Sequence, residues 1–236
     1  MSQKIIASFE CDITSKTKHN KQATDLKNLG QAFHNVLLGK KVNTLVEKAY
    51  GEIETILSHV KHWVSYGLES NLEDSQKTML EVKISMRLKE LDELAQSFKH
   101  KGQKLLNGTL SASMKENSHF FLLVGSISSP ENRINLNTSL NIPSISSKTL
   151  GLGELSVRSK QHGLKGLMML ENALSTITCL KERSTALRTR LEQVDQYLSI
   201  SIENHRAANT APNSFGQTEE FFRVAVDSIK KTSDDY

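Results

Sequence analysis

Hydrophobic residues recur at spacings of three and four in four segments of the chain, and this periodicity predicts amphipathic α-helices. The first segment covers residues 26–37, and Gly39 after it is typical of a helix stop. The second begins at Leu45 and ends near Gly67, which is expected to cap it. The longest segment, residues 163–208, contains no proline, so it can form one continuous helix.

The strongest amphipathic pattern of the N-terminal half starts after residue 71 and reaches Phe98. Ser70 or Asn71 is expected to cap this helix, because both side chains can accept hydrogen bonds from free backbone N–H groups. Glu73 and Asp74 then place negative charge in its first turn, which stabilises the helix through a favourable interaction with its dipole.

The apolar stripes of these helices cannot stay exposed to water, so the helices are predicted to pack in a bundle or coiled coil. Each buried stripe residue is expected to contribute about 1.5–3 kcal/mol. The predicted packing residues are Ile53, Ile56, Leu57, Val60, Leu80, Ile84, Leu88, Leu91, Leu174, Ile177, Leu187, Leu191, Val194 and Leu198.

The stretch FKHKGQKLLNGT, residues 98–109, follows the helical pattern that reaches Phe98 and precedes an apolar run. A phosphate-binding loop would instead precede a helix N-terminus, so a structural turn is predicted. Basic residues before Gly102 complement the helix dipole, and this glycine is expected to take the left-handed cap position. The predicted turn residues are Gly102, Gln103, Leu105, Leu106 and Gly108.

The pattern changes to short apolar and alternating runs between the helical halves. SHFFLLVGS (118–126) is compatible with a strand, and RINLNTSL (133–140) alternates apolar and polar residues as a half-buried strand does. The predicted fold is mainly α, with long antiparallel helices in a coiled-coil-like bundle and a small β-hairpin between the N- and C-terminal helical halves.

The same patterns predict three parts of the chain. They are an N-terminal arm (1–43), a helical core (44–208) and a C-terminal tail (209–236). The core divides further into N-terminal helices (44–110), a hairpin and loop (111–160) and a long C-terminal helix (161–208). Within the tail, EEFFRVAVDSIKK (219–231) is compatible with one more amphipathic helix.

The formal net charge is only +4, from 30 basic and 26 acidic residues that are interspersed along the chain. Because a nucleic-acid binder concentrates its positive charge on one face, no nucleic-acid partner is expected. No apolar run approaches the ~20 residues that span a bilayer, and the N-terminus lacks the apolar segment of a cleavable signal peptide. The sequence therefore predicts a soluble protein with no membrane partner.

Few residues suggest chemistry. His59 and His62 share a helix face, but a metal site needs further ligands that the sequence does not offer. Glu90, Asp92 and Glu93 are adjacent acids of an amphipathic helix and are expected to form a solvated face. A catalytic pair would need burial in unequal environments. The sequence therefore predicts no enzyme activity, no metal and no cofactor.

The remaining candidates also have ordinary interpretations. Cys11 and Cys179 are too few for a disulfide framework or a zinc site. The cations Lys181 and Arg188 share their helix with acids, which is typical of a mixed-sign solvated face. Met168–Met169 is expected to fill the core, since methionine adapts to irregular gaps.

Several segments, taken in order, resemble those of bacterial flagellins. FKHKGQKLLNGT resembles the flagellin turn F-N-G-Q-K-L-L-D-G, and SSKTLGLGELSV (146–157) resembles S-x-x-L-G-L-x-x-L-x-V. GEIETILSHVK (51–61) resembles the start of an inner-core helix, and HFFLLVG with INLN resembles a short strand pair. Residues 170–208 resemble the C-terminal core helix, so the resemblance covers roughly residues 45–210.

The resemblance implies a structural subunit that polymerises into the flagellar filament for motility. It also implies export through the flagellar type III apparatus, without a cleavable signal peptide, to an extracellular location on the flagellum. The implied partners are other flagellin subunits, in a homopolymer or a mixed polymer, with a flagellar export chaperone as a further candidate partner.

The chain departs from flagellins at its terminal regions. LGQAFHNVLLGKKVN (29–43) looks like a reduced form of I-E-R-L-S-S-G-L-R-I-N, and the spoke region and terminal helix of flagellins have no counterpart. These shortened terminal regions keep an alternative open, in which the chain is a non-polymerising flagellin paralogue that acts as a binding or regulatory module.

The segment that an innate immune receptor recognises in flagellins is altered in this chain. Where flagellins carry L-Q-R-V-R-E-L-A, residues 57–64 read LSHVKHWV, with His59, His62 and Trp63 at the changed positions. We therefore expect weak or absent activation of receptor-reporter cells, measured beside a flagellin with the intact motif. A full response at ordinary flagellin doses would contradict this expectation.

Overall fold

A computed structural model describes residues 2–69, 72–127 and 129–209 of the chain, with side chains described between residues 24 and 207 outside the two gaps. The helices are α1 (Ser2–Glu69), α2 (Asp74–Ser97), α3 (Leu136–Leu140) and α4 (Lys160–Asn209). The strands are β1 (Lys99–His100), β2 (Gln103–Lys104), β3 (Phe121–Leu123) and β4 (Arg133–Asn135). The predicted fold class, mainly α with a small β element between helical halves, is confirmed.

The chain forms two compact units. Among the described residues, the first contains residues 2–39, 122–127, 129–134 and 191–209, and the second contains residues 40–69, 72–121 and 135–190. The division predicted from the sequence, with an arm before residue 44 and a tail after residue 208, stays a prediction. Among the described helices, none combines the length and the apolar character needed to cross a membrane. The helix predicted for residues 219–231 lies outside the described residues.

The predicted helix stop at Gly39 is wrong, because α1 continues through it to Glu69. A Cβ atom added at Gly39 would lie 2.5 Å from Leu122 Cδ1 and 3.2 Å from Leu191 Cδ2. The glycine therefore allows two leucine side chains to pack against the helix backbone. Close packing, rather than chain termination, explains this glycine.

Gly67 is likewise inside α1 and does not cap it. A Cβ atom at this position would lie 2.9 Å from Leu80 Cδ2 and 3.6 Å from Val157 Cβ. The predicted caps Ser70 and Asn71 lie outside the described residues, and the N-cap of α2 is Glu73. The backbone N–H of Glu73 donates to Gln76 Oε1 at 3.0 Å, which is half of a capping box.

Gly102 does not cap α2, because the helix ends at Ser97 and Phe98 is already extended. Strands β1 and β2 pair antiparallel, with His100 opposite Gln103. Lys101 and Gly102 form the connection, with φ angles of 48° and 78°. Two consecutive residues with positive φ are typical of a tight hairpin turn. The positive φ was predicted correctly, but it belongs to a hairpin and not to a helix cap.

The predicted strand over residues 133–140 is wrong in its second half, which forms helix α3. The side chain of Asn135 accepts hydrogen bonds from the backbone N–H groups of Asn137 and Thr138. Such a cap competes with strand pairing, because it satisfies the free donors at a helix start. Helix α3 ends at Leu140, and its C-cap Asn141 is in the left-handed conformation with φ 44°.

Candidate assembly core of the second unit

The structure places the predicted packing residues mostly in the interior. In the second unit, the buried ones are Ile53, Ile56, Leu57, Val60, Leu80, Ile84, Leu91, Ile177 and Leu187. In the first unit, Leu191 and Leu198 are buried. Leu88, Leu174 and Val194 are half-buried, each within its own unit. Burial fits a core role within each unit, while a role for these residues at a subunit interface stays a prediction.

In the second unit, α1 and α4 run antiparallel, as the ion pairs between them show. From one end of the pair to the other, residue numbers rise along α1 and fall along α4. The pairs are Glu47–Arg188, Glu54–Lys181 and Lys61–Glu171, with N–O distances of 3.3, 2.6 and 3.2 Å. All three are partly exposed to solvent, and such pairs add little stability. Their main effect is to favour one antiparallel alignment over shifted ones.

A buried polar pair lies in the same interface, inside an otherwise apolar core. Asn43 and Ser184 are 1% and 0% exposed. The Ser184 hydroxyl donates to Asn43 Oδ1 at 2.8 Å, and Asn43 Nδ2 donates to the Ser184 carbonyl oxygen at 3.1 Å. If α1 slid along α4, both side chains would lose these bonds in a dry environment. A single buried polar contact of this kind fixes helix register in coiled coils, usually at some cost in stability.

Tyr50 is fully buried in the second unit, and its hydroxyl has no hydrogen-bond partner among the described residues. Burial raises the pKa of the Tyr50 phenol well above its usual range, and the charge of Arg183 opposes this rise only in part. The phenol therefore stays neutral throughout the physiological pH range.

Sequence reasoning missed both Asn43 and Tyr50. The signal was present, because residues 43, 46, 50, 53 and 57 follow the alternating four-three spacing of a heptad stripe. A stripe position predicts burial for a polar residue or a tyrosine just as it does for a leucine.

The sequence predicted that Asp92 belongs to a solvated acidic face, and this prediction is wrong. Its carboxylate accepts hydrogen bonds from the backbone N–H and the hydroxyl of Ser147, at 2.6 and 2.7 Å. These bonds attach the segment after α3 to helix α2. Glu90 and Glu93, in contrast, make ion pairs on the surface of α2 with Arg87 and Lys89.

Glu81 makes a second attachment between α2 and the same segment. Its carboxylate accepts from the Ser156 hydroxyl, from Val157 N at 3.2 Å and from Arg158 Nε at 2.8 Å. Burial opposes ionisation of this carboxyl. The hydrogen bonds from Ser156, Arg158 and Val157, together with the Arg158 charge, outweigh burial and lower the pKa of Glu81 below its ordinary value of 4.5.

The predicted turn residues contribute in different ways. Leu105 and Leu106 are buried, and the Leu106 carbonyl accepts from Ile145 N at 2.8 Å. Gly108 has a φ of 90°, and a Cβ atom there would lie 3.3 Å from Ser144 N. Gly102 and Gln103 are exposed in the hairpin. The hydrogen bond between Leu106 and Ile145 and the close approach of Gly108 to Ser144 thus join this turn to the segment after α3.

The candidate chemical residues are not brought together. His59 and His62 are exposed on α1, and the described part of the chain contains no cluster of three or more His, Cys, Asp or Glu side chains arranged to hold a metal. Cys179 is an exposed free thiol, while the Cys11 side chain lies outside the described ones. Met168 is 66% exposed, so its predicted role as core filler is wrong.

No protein-family model matches the chain. The chain is 20% identical over 207 residues to the flagellar filament 30.7 kDa core protein of Treponema maltophilum, a match that covers 84% of this chain and 70% of that protein. This match confirms the resemblance to flagellins that the sequence motifs indicated. The chain is thus similar to a flagellar filament core protein.

Two solved structures are also similar. A flagellar hook-associated protein from Vibrio parahaemolyticus gives a TM-score of 0.65 at 11% identity, covering 83% of this chain and 96% of that one. Bacillus cereus flagellin gives a TM-score of 0.49 at 15% identity, covering 77% of this chain and 95% of that one. The first of these similarities shows a shared fold.

We expect Asn43→Val alone to lower the free energy of unfolding by about 1–3 kcal/mol, because it leaves the Ser184 hydroxyl buried without its partner. Adding Ser184→Ala should recover most of this loss, because both polar groups are then removed. Denaturant unfolding of the two single variants and the double variant measures the coupling. Thr55→Val on the exposed face of α1 is the control. Strictly additive losses would contradict the assignment.

We expect Glu81→Gln to lower the free energy of unfolding by about 1–2 kcal/mol at pH 7, because charge-assisted bonds are replaced by neutral ones. The lowered pKa of Glu81 means that its contribution is complete above the unfolded-state pKa and is lost as the pH falls through the folded-state pKa. The difference between the thermal melts of the two proteins should therefore shrink as the pH is lowered below 4.5. Glu93→Gln, which removes a surface pair, is the control, and a difference that does not shrink with falling pH would refute the mechanism.

Proposed function

We propose that the chain is a structural, non-enzymatic subunit of the bacterial flagellum that builds or joins the filament. The observation that carries this proposal is the similarity to the Treponema maltophilum filament core protein along most of both chains. The shared fold with a hook-associated protein is consistent with it. On this proposal the partners are other flagellar subunits, in a homopolymer or a mixed polymer, and the location is the extracellular flagellum.

The surface of the helices supports an assembling protein. Tyr66 on α1, Met86 on α2, and Met168 and Tyr197 on α4 are each more than half exposed. Large apolar side chains exposed on several helices are typical of surfaces that are covered in an assembly.

Export is the second part of the proposal. A filament subunit must leave the cell, and we propose the flagellar type III route, with an export chaperone as a transient partner. The alternative function, a non-polymerising paralogue that binds another flagellar component, differs in one measurable property. It would remain a monomer under conditions in which filament subunits polymerise.

We expect the purified chain to form sedimentable filaments, visible by negative-stain microscopy, either alone or with seeds of the major flagellin of the same cell. Leu191→Asp is the negative control that shows whether assembly requires a folded subunit, because a carboxylate at this fully buried position should unfold the helices. A soluble monomer under both the seeded and the unseeded conditions would contradict the filament proposal and favour the non-polymerising paralogue.

A further inference from the structure

The loop at residues 111–120, which precedes β3, is attached to helix α3 through the imidazole of His119. This side chain is half-buried. Its Nε2 atom lies 3.0 Å from the carbonyl oxygen of Met114, inside the loop, and its Nδ1 atom lies 3.0 Å from Nδ2 of Asn135. Because Asn135 is the N-cap of α3, the imidazole connects the loop to the start of that helix.

The two partners of the imidazole are compatible with only one of its protonation states. The Met114 carbonyl can only accept, so Nε2 must carry a proton, and the amide nitrogen of Asn135 can only donate, so Nδ1 must be bare. The orientation of the Asn135 amide is fixed independently, because its Oδ1 atom accepts from the backbone N–H groups of Asn137 and Thr138 at 2.9 and 3.3 Å. The geometry therefore requires a neutral imidazole with its proton on Nε2.

A protonated imidazole cannot keep this arrangement. Both ring nitrogens of an imidazolium are donors, so the N–H group at Nδ1 would point at the amide nitrogen of Asn135. Rotating the Asn135 amide would remove the acceptor that caps α3. Rotating the His119 ring would break its bond to the Met114 carbonyl. Either rearrangement loses part of the attachment between the loop and α3.

Both ends of the loop also depend on the first turn of α3, through the side chain of Asn137. This asparagine is 0% exposed. Its Oδ1 atom accepts from Phe120 N at 2.9 Å, and its Nδ2 atom donates to the carbonyl oxygens of Thr109 and Ser111 at 2.9 and 3.0 Å. A change in the cap of α3 therefore acts on the position of the whole loop.

Hydrogen bonding, and not a neighbouring charge, distinguishes the two forms of His119. On the loop, Lys115 and Glu116 are exposed, α3 has no charged side chain, and Arg133 on β4 is exposed. Within the described part of the chain, no ion pair joins His119 to a carboxylate. The Phe121 ring centroid lies 6.4 Å from that of His119, beyond the about 6 Å at which a cation–π interaction is significant.

We propose that His119 is a pH-sensitive attachment, which holds the loop on α3 when the imidazole is neutral and releases it when the imidazole is protonated. Because the attached form requires a bare Nδ1 atom, proton uptake favours the released form. The released form therefore gains population as the pH falls through the range in which histidine side chains titrate. This conformational response goes beyond the proposed flagellar function and does not depend on it.

Amide hydrogen exchange of the full chain, measured by mass spectrometry at about pH 8 and about pH 5, tests the attachment. After correction for the intrinsic effect of pH, residues 111–120 and 135–141 should exchange about two- to tenfold faster at the lower pH, as expected when one hydrogen bond is lost. Peptides of α4 from the same unit are the internal reference. The bonds of Glu81 persist at pH 5, because its pKa lies below 4.5.

The variant Asn135→Asp should reverse the sign of the response. A carboxylate can still cap α3, but its second oxygen replaces the amide nitrogen that faces His119. This oxygen accepts a hydrogen bond from a protonated Nδ1 atom and repels a bare one. The loop should therefore exchange faster at pH 8 than at pH 5. A purely structural role for Asn135 would not reverse the direction of a pH response.

Two histidine variants complete the test. His119→Gln removes the titrating ring and should abolish the difference between the two pH values, whatever its absolute rate of exchange. His62→Gln, at an exposed position of α1, is the matched control and should respond as the unmodified chain does. Three results would each overturn the attachment: equal corrected exchange at both pH values in the unmodified chain, an unreversed response in Asn135→Asp, or a response that survives in His119→Gln.

Discussion

The antiparallel contact between α1 and α4 is the constraint on which the second unit depends. Each helix carries an apolar stripe that is unstable in water alone, and each covers the stripe of the other. The Asn43–Ser184 pair stabilises one alignment of α1 along α4 relative to shifted alignments. The surrounding ion pairs form in the same alignment. Apolar burial stabilises the helix pair, while the polar pair selects a single register of the two helices.

Around this contact, helix α2 is joined to the segment after α3 by two carboxylates. Asp92 binds one end of that segment at Ser147, and Glu81 binds the other end at Ser156 and Arg158. Between these points, the buried Leu152 contributes apolar packing. An irregular segment can thus be held in one position, because its free backbone N–H groups find acceptors on a rigid helix.

Periodicity was enough to predict the helices and most of their buried residues, because burial on a helix follows directly from apolar spacing. It failed where one residue has two physical uses. Glycine ends helices in many sequences, but Gly39 and Gly67 instead allow leucine side chains to pack against the backbone of α1. Asn135 interrupts an alternating pattern by capping α3, and Asp92 leaves a surface pattern to bind a distant loop. These outcomes depend on partners that are far apart in sequence and leave no local periodic signal.

The distance along the chain between the two main helices has a consequence for synthesis. Asn43 and Ser184 are separated by 141 positions, so α1 is made long before its partner exists. At about 5–20 residues per second, the apolar stripe of α1 waits for roughly 7–30 s before α4 can cover it. Contacts of such long range also fold slowly once both helices are present. During this interval the apolar stripe of the nascent chain is uncovered, and this is the form that a chaperone in the cell would meet.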